Sequence, residues 1–167
     1  MRSVRVMMVL LALCMIVTPT ILVGEDKDPK PDPRIDFPQY RTWSHVKTMV
    51  IHDPKHPLFE SFGGIHHVYA NERAFPSTTT MKEYPDGSML VFVLFDVADK
   101  DGAYITGARK LTAVMEKKGK YEATGGWGFQ AWGRDGKPLV FDGGASCFGC
   151  HKDGAATTDF VFSRYQP

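Results

Sequence analysis

The sequence predicts an α+β fold in which a mainly antiparallel β-sheet is accompanied by a few helices. Short apolar runs rich in β-forming residues alternate with glycine-containing turns, as in strands joined by hairpins. The length of 167 residues suits one domain, and a hydrophobic fraction of 43% with 12% aromatic residues is enough for a core. We therefore expect a single folded domain.

The first 24 residues have the features of an export signal. Two arginines form a short basic start, an apolar stretch follows over residues 6–23, and an acidic cluster ends it. We therefore predict a signal peptide at residues 1–24, with an uncleaved membrane anchor as the alternative. Residues 25–34 are rich in proline and charge, which predicts an extended linker. The folded domain is then expected at residues 35–167.

The beginning of the domain is expected to contain one helix and one strand. Apolar residues recur at helical spacing over residues 39–51, so we predict a helix there. A loop-rich stretch follows, through residue 76. The Pro-Asp-Gly turn at residues 85–87 precedes an apolar, β-prone run at residues 89–95, which predicts a buried strand.

The rest of the domain is expected to form further strands. Residues 99–102 predict a turn, and residues 111–115 and 124–132 predict two strands. A hairpin turn at residues 134–137 then leads into a short apolar run at residues 139–141. Together with the run before them, these strands make up the predicted antiparallel sheet.

Charge and cysteine content exclude several classes of protein. The formal net charge is +1, so nothing in the composition points to nucleic acid or to an anionic membrane surface. Of the three cysteines, Cys14 lies in the predicted leader, which leaves Cys147 and Cys150 in the mature chain. A disulfide scaffold needs more cysteines than these two.

The two remaining cysteines belong to the run Cys147-Phe148-Gly149-Cys150-His151, a C-x-x-C-H motif. In c-type haem attachment each thiol adds to one haem vinyl group, and the adjacent histidine binds the iron. A zinc site would need further ligands, and a thioredoxin-like redox motif would lie near a βαβ unit. We therefore predict one covalent haem c with His151 as metal ligand. Haem c is assembled outside the cytoplasm, in agreement with the leader.

The sequence leaves two alternatives for the sixth iron position. A methionine would suit an electron carrier, and a histidine is the other choice. Met89 and Met115 lie in apolar strand patterns, where a methionine usually fills the core. His66 and His67 follow two glycines and have the most unusual context, although a solvated or hydrogen-bonded structural pair is the favoured interpretation. The remaining candidates are Met49, Met81, His45, His52 and His56.

A glycine- and tryptophan-rich stretch at residues 125–132 is the second unusual feature. Glycine within a strand marks a close approach of backbone or ligand, and Trp127 beside it would suit the face of a porphyrin. An aromatic core strand with a bulge explains the same pattern equally well.

Five further segments occur in an order that is far more specific than the haem motif alone. They are YRTW at residues 40–43, FGGIHHVYAN at 62–71, PDG at 85–87, TGGWGF at 124–129 and DFVFS at 159–163. With the C-x-x-C-H run, they make the chain similar to the cytochrome P-460 family and its relatives, the cytochromes c′-beta. The resemblance extends over nearly the whole predicted domain.

The resemblance implies a small periplasmic protein, often a homodimer, whose haem iron has one protein ligand and an open distal face. In the enzymatic members a lysine is cross-linked to the haem. As the sequences align, that lysine belongs on the strand at residues 89–95, which contains no lysine and has Phe92 at or near the position. Phe62 is a second candidate for an apolar cap. Asp142 lies close to where hydroxylamine-oxidising relatives place a distal carboxylate, although a solvated turn residue is the favoured interpretation.

These observations predict a periplasmic single-haem c-type cytochrome that binds or handles small nitrogen oxides or diatomic gases such as nitric oxide. The alternatives are an electron-transfer cytochrome with a sixth protein ligand and a hydroxylamine or nitric oxide oxidoreductase, in which Asp142 would be catalytic. Expected partners are the small ligand, a redox partner protein and, as in many relatives, a second copy of the chain; no nucleic acid is expected. The predicted cofactor-binding residues are Cys147, Cys150, His151, Phe92, Phe62 and Trp127.

Overall fold

The structure, a computed structural model, describes residues 35–167. Its centre is one antiparallel sheet of five strands, whose order in space is their order along the chain. This confirms the predicted α+β class with an antiparallel sheet. The strands are β1 (Ser44–Ile51), β2 (Gly64–Ala70), β3 (Met89–Lys100), β4 (Ala103–Lys117) and β5 (Trp127–Gly133). The helices are α1 (Phe59–Phe62), α2 (Phe75–Thr80) and α3 (Ala145–Ala155), with 3-10 turns at Tyr40–Thr42, Gly119–Thr124 and Ala156–Thr158.

The helix predicted over residues 39–51 is wrong, because most of this segment is strand β1. β1 pairs along its length with β2 in antiparallel register. A β-bulge next to Val46 interrupts the alternation of faces, so that Val46 and Ile51 are both buried although they are an odd number of positions apart. This spacing imitates a helical pattern, whereas the β-branched residues of the segment favour a strand.

Strand β2 lies within the stretch predicted to be loop-rich, so that part of the prediction is also wrong. Most residues of β2 are buried, including successive residues that point to opposite faces. The strand therefore lacks the alternation of polar and apolar residues that identifies a strand with one solvated face. Two separate cores explain this burial, since Val68 and Ala70 pack in one of them and Tyr69 packs against the other.

The hairpin of β3 and β4 is longer than the apolar runs predicted. The turn predicted at residues 99–102 is confirmed, since Asp101 and Gly102 join the strands with left-handed φ of 55° and 79°. β5 follows later and begins at Trp127 rather than at residue 124.

The end of the predicted sheet also differs from the structure. The apolar run at residues 139–141 forms no strand. One isolated bridge, between Trp132 and Pro138, closes the turn that follows β5. Proline cannot donate a backbone hydrogen bond, which limits further pairing at this edge.

The two faces of the sheet carry separate cores. The inner face bears residues such as Leu90 and Met115, and Cys147 of α3 packs against this core. The outer face bears Val91, which packs in a second core with Tyr40 from the N-terminal segment. The motif-bearing helix is therefore placed on the inner face.

None of the helices within residues 35–167 is long and apolar enough to cross a membrane. The predicted signal peptide and the linker lie outside the described residues.

Candidate functional site

Helix α3 carries the three chemical groups of the C-x-x-C-H motif. It begins after Gly144, whose φ of 89° is left-handed. Residues three and four positions apart lie on one side of a helix, so Cys147, Cys150 and His151 face the same way. Cys147 is half-buried, Cys150 is exposed, and both are free thiols. Burial raises the pKa of the Cys147 thiol, which keeps it protonated at neutral pH.

The ring of His151 is held in one tautomer. Its Nδ1–H donates to the carbonyl oxygen of Phe160 at 2.7 Å, and the proton must be on Nδ1 because a carbonyl only accepts. Burial lowers the pKa of this imidazole, so the ring is neutral and Nε2 keeps a lone pair. Nε2 has no hydrogen-bond partner within residues 35–167. The rings of Phe129 and Phe162 flank it, with centroids 5.0 and 4.9 Å away.

Asp142 lies just before α3 and binds its first backbone amides. Its Oδ1 accepts the N–H of Gly144 and its Oδ2 that of Ser146, both at 2.9 Å. These hydrogen bonds, above all the one from Ser146, lower the pKa of the carboxyl group. The geometry is that of a turn residue, as favoured from the sequence, and the bond to Ser146 also satisfies an amide in the first turn of α3. A catalytic role for Asp142 stays a prediction.

Phe62, Phe92 and His66 form one cluster on the inner face, which we call the aromatic cap. Phe92 projects from β3 and packs against the core that Cys147 joins. Its ring meets the ring of Phe62 edge-on, with centroids 5.7 Å apart, and that of His66 at 4.8 Å. The two phenylalanines predicted for the distal side therefore lie together, on the sheet face that α3 covers.

His66 belongs to this cap, whereas His67 does not. The two residues are adjacent on β2, and alternation along the strand directs their side chains to opposite faces. His67 is hydrogen-bonded through Nδ1 to the hydroxyl of Thr48 at 2.8 Å and contacts Phe95, which packs with the outer core. The predicted histidine pair is thus two separate sites.

The imidazole of His66 is buried with one nitrogen unsatisfied. The residue is 2% exposed, and its Nε2–H donates to the carbonyl oxygen of Phe62. Nδ1 is then a lone pair without a partner among residues 35–167. Burial lowers the pKa of His66, so the ring is neutral. The aromatic cap therefore contains one buried hydrogen-bond acceptor. The sequence alone does not show which of the two adjacent histidines provides it.

Lys110 brings a positive charge to the corner that carries Phe62. It lies on β4, where a register shift occurs, and its Nζ donates to the carbonyl oxygen of Gly63 at 2.9 Å. Asp96 is 4.0 Å from the same amine. The run at residues 89–95 has no lysine, but β4 brings this one close to the cap from the neighbouring strand. From the sequence, Lys110 and Lys82 are set aside because both lie outside that run, and the proximity of Lys110 to the cap appears only when β4 pairs with β3.

Trp127 is fully buried in the inner core. Its Nε1–H donates to the backbone carbonyl of Asp159 at 2.9 Å. The neighbouring glycine makes room for a protein side chain, since a Cβ at Gly128 would lie 2.4 Å from the ring of Tyr121. Core packing therefore accounts for the glycine, and contact of Trp127 with a cofactor stays a prediction.

The four methionines of the described residues are distributed over both faces. Met89 packs with the outer core, on the side of the sheet away from α3, and Met49 is exposed on β1. Met115 is a buried member of the inner core, and Met81 packs against it. The position of Met89 argues against it as an iron ligand, while Met115 fills the core as expected.

The residues of this site fit a covalent haem. Two free thiols one helical turn apart can form the two thioether bonds, and an imidazole anchored through Nδ1 with Nε2 available can bind iron. Aromatic side chains from α3, from β5 and from the C-terminal segment provide the apolar surroundings.

Comparison with known proteins points to the same chemistry. A family sequence model described as Cytochrome P460 matches residues 38–163, most of the chain. The matched region includes the C-x-x-C-H motif and the aromatic cap. No curated protein matched the chain.

Proposed function

Because the chain belongs to the cytochrome P460 family and is therefore a c-type haem protein, we propose that it is an exported, periplasmic cytochrome with a single haem. It binds or handles small nitrogen oxides and diatomic gases such as nitric oxide. Cys147 and Cys150 carry the thioether bonds, and His151 is the axial ligand. Bound haem supplies an iron centre whose open position takes small ligands.

The observation that carries this proposal is the state of His151. Its Nδ1–H is engaged by the carbonyl of Phe160, which leaves Nε2 as a neutral donor for iron. Met89 and Met115 have no comparable support as ligands, since Met89 is on the outer face and Met115 fills the inner core. His66 has its own buried lone pair on Nδ1, which we assign to hydrogen bonding within the aromatic cap. One protein ligand and one open iron position are part of the proposal, as the resemblance to the family implies.

The aromatic cap supports a preference for small, weakly polar ligands. Phe62 and Phe92 are on the inner face, and Phe92 packs with the core that Cys147 joins. We assign them to the distal side of the haem. Apolar rings there favour a weakly polar diatomic molecule, because they offer no hydrogen-bond donor to a larger polar substrate.

A hydroxylamine or nitric oxide oxidoreductase is the second candidate, and His66 is the observation that favours it. The lone pair on its Nδ1 is buried beside Phe92 and could accept a proton or a hydrogen bond from an N–H or O–H group. Lys110 donates to the carbonyl of Gly63, next to Phe62, and is our candidate for a bond between lysine and haem. Electron transfer with a sixth protein ligand is the third alternative.

The absorption spectrum of the purified holoprotein separates the three functions. We expect the broad ferrous Soret band of five-coordinate haem, tight binding of nitric oxide, and negligible turnover of hydroxylamine with an electron acceptor. Sharp, split ferrous bands would identify an electron carrier. A strongly red-shifted spectrum, with Lys110 linked to haem in the peptide mass spectrum, would identify the oxidoreductase.

His66→Phe tests the second candidate directly, because it removes the buried acceptor and keeps an aromatic ring. If hydroxylamine turnover occurs in the wild type and is lost in this variant, the protein is the oxidoreductase. His52→Phe, at an exposed site, is the matched control.

A further inference from the structure

Two consecutive residues, Asp159 and Phe160, have left-handed backbone conformations although neither is glycine. Their φ angles are 52° and 64°. L-residues other than glycine adopt this region at an energetic cost, and two in a row persist only where the surrounding structure holds them.

The side chain and the carbonyl of Asp159 are both fixed by groups from other elements. Oδ1 forms an ion pair with the Nζ of Lys117 at 2.6 Å, and Oδ2 accepts the backbone N–H of Tyr84 at 2.8 Å. The indole of Trp127 donates to the carbonyl of Asp159. The ion pair is nearly buried, with side-chain exposures of 14% for Lys117 and 12% for Asp159.

Lys117 is itself held in place from two sides. Its Nζ donates to the carbonyl of Gly125 at 3.3 Å and lies 5.1 Å from the centroid of the Trp127 ring. The amine therefore has three kinds of partner: a carboxylate, a carbonyl and an aromatic face. A charged group with this many contacts has little freedom to move.

The conformation of residues 159 and 160 directs the backbone carbonyl of Phe160 toward His151. The oxygen of Phe160 accepts the Nδ1–H of His151 at 2.7 Å. A hydrogen bond at Nδ1 makes an imidazole a stronger electron donor through Nε2, and fixes the orientation of its ring. The ion pair, the left-handed turn and the histidine thus form one connected chain of contacts.

We propose that Lys117 and Asp159 are positioning residues for His151, which hold the Phe160 carbonyl against Nδ1 and so set how strongly the histidine donates to the haem iron. This rests on the proposed role of His151 as axial ligand. Breaking the ion pair loosens the turn and weakens the hydrogen bond. The imidazole then donates less, which weakens the iron–histidine bond and destabilises the ferric form relative to the ferrous form.

The test uses the holoprotein with Lys117→Met, which removes the amine and keeps a long apolar side chain. We expect the iron–histidine stretching frequency of the ferrous protein, measured by resonance Raman, to fall and the reduction potential to rise. Lys117→Arg should restore both toward the wild-type values, because it keeps the charge. Asp159→Asn is the second variant, since asparagine tolerates the left-handed conformation but lacks the charge.

Lys118→Met is the matched control. Lys118 forms an ion pair with Glu116 at 2.6 Å, and Glu116 is bonded to Tyr121 of the outer core. This control should leave the stretching frequency and the potential unchanged. If Lys117→Met and Asp159→Asn also leave both unchanged, or if the control shifts them equally, the positioning role is refuted.

The outcome is distinguishable from failure of the proposed function. If the wild type carries no covalent haem, or if His151→Ala leaves the iron–histidine band in place, then His151 is not the ligand and the proposed function fails first. If the wild type shows that band and the two variants do not move it, only the positioning role fails.

Discussion

Two histidines of the inner face are held in opposite tautomers by backbone carbonyls. His151 donates from Nδ1 to Phe160 and leaves Nε2 as a lone pair, whereas His66 donates from Nε2 to Phe62 and leaves Nδ1. Burial lowers the pKa of both rings. Cys147, Cys150 and His151 could be predicted, because the C-x-x-C-H motif is a local pattern in the sequence. The tautomers could not, since each depends on a carbonyl placed by the fold.

We predict that stability decreases as the pH falls below the ordinary histidine pKa. The pKa of His66 is lower in the folded chain than in the unfolded one, where it is about 6.5. Between these two values the unfolded chain binds more protons, so the free energy of unfolding falls with decreasing pH and its full value is reached above about 6.5. Urea unfolding midpoints of the holoprotein at several pH values measure this.

The variant His66→Gln should reduce this pH dependence, because it removes the titrating group. His52→Gln, at an exposed position, is the control and should keep the wild-type slope. A wild-type slope in His66→Gln would show that other groups, such as His67, carry the effect.

We also predict distinct effects for the three motif residues. Cys147→Ala or Cys150→Ala should leave at most one thioether bond to haem, while His151→Ala should keep both bonds and lose the axial ligand. Haem staining of denaturing gels and the absorption spectrum measure the two properties separately. Complete loss of haem from the denatured wild type would contradict covalent attachment.

At the scale of elements, helix α3 depends on the residue that precedes it. Asp142 accepts the backbone N–H groups of Gly144 and Ser146, which no helical carbonyl can satisfy. We predict that Asp142→Ala destabilises the protein by about 1 kcal/mol, as is usual for the loss of such a capping residue. Asp142→Asn should retain only part of the stability, because its single amide oxygen can accept one of the two N–H groups. Urea unfolding gives the free energies, and abolished hydroxylamine turnover at unchanged stability would instead indicate a catalytic carboxylate.

Prediction of the elements succeeded where a pattern was local and failed where pairing decided the outcome. The turn before β4 was predicted because Asp101 and Gly102 suit left-handed backbone. A bulge shifts the buried residues of β1 so that their spacing imitates a helix, and burial on both faces hides the alternation of β2. Both errors concern features that only the rest of the fold creates, namely the strand paired with β1 and the two cores that cover β2.

At the scale of the whole molecule, the predicted leader sets where the protein is found. We predict that the mature chain begins near residue 25 and is recovered outside the cytoplasm, because residues 1–24 have the composition of a signal peptide. Cell fractionation followed by intact-mass measurement checks this. A cytoplasmic chain that retains Met1 would contradict export, and a full-length chain in the membrane fraction would indicate an uncleaved anchor.

The order of the strands has a consequence for the timing of maturation. Among residues 35–167, each strand of the sheet pairs with its neighbours along the chain, and α3 follows β5. Contacts of short sequence separation form fast, so the sheet can assemble as successive hairpins before the attachment helix is settled. We expect the haem-free chain to acquire protected sheet amides in pulsed hydrogen exchange while the amides of α3 still exchange. Equal protection of the amides of α3 at the earliest times would show that this helix forms together with the sheet and without haem.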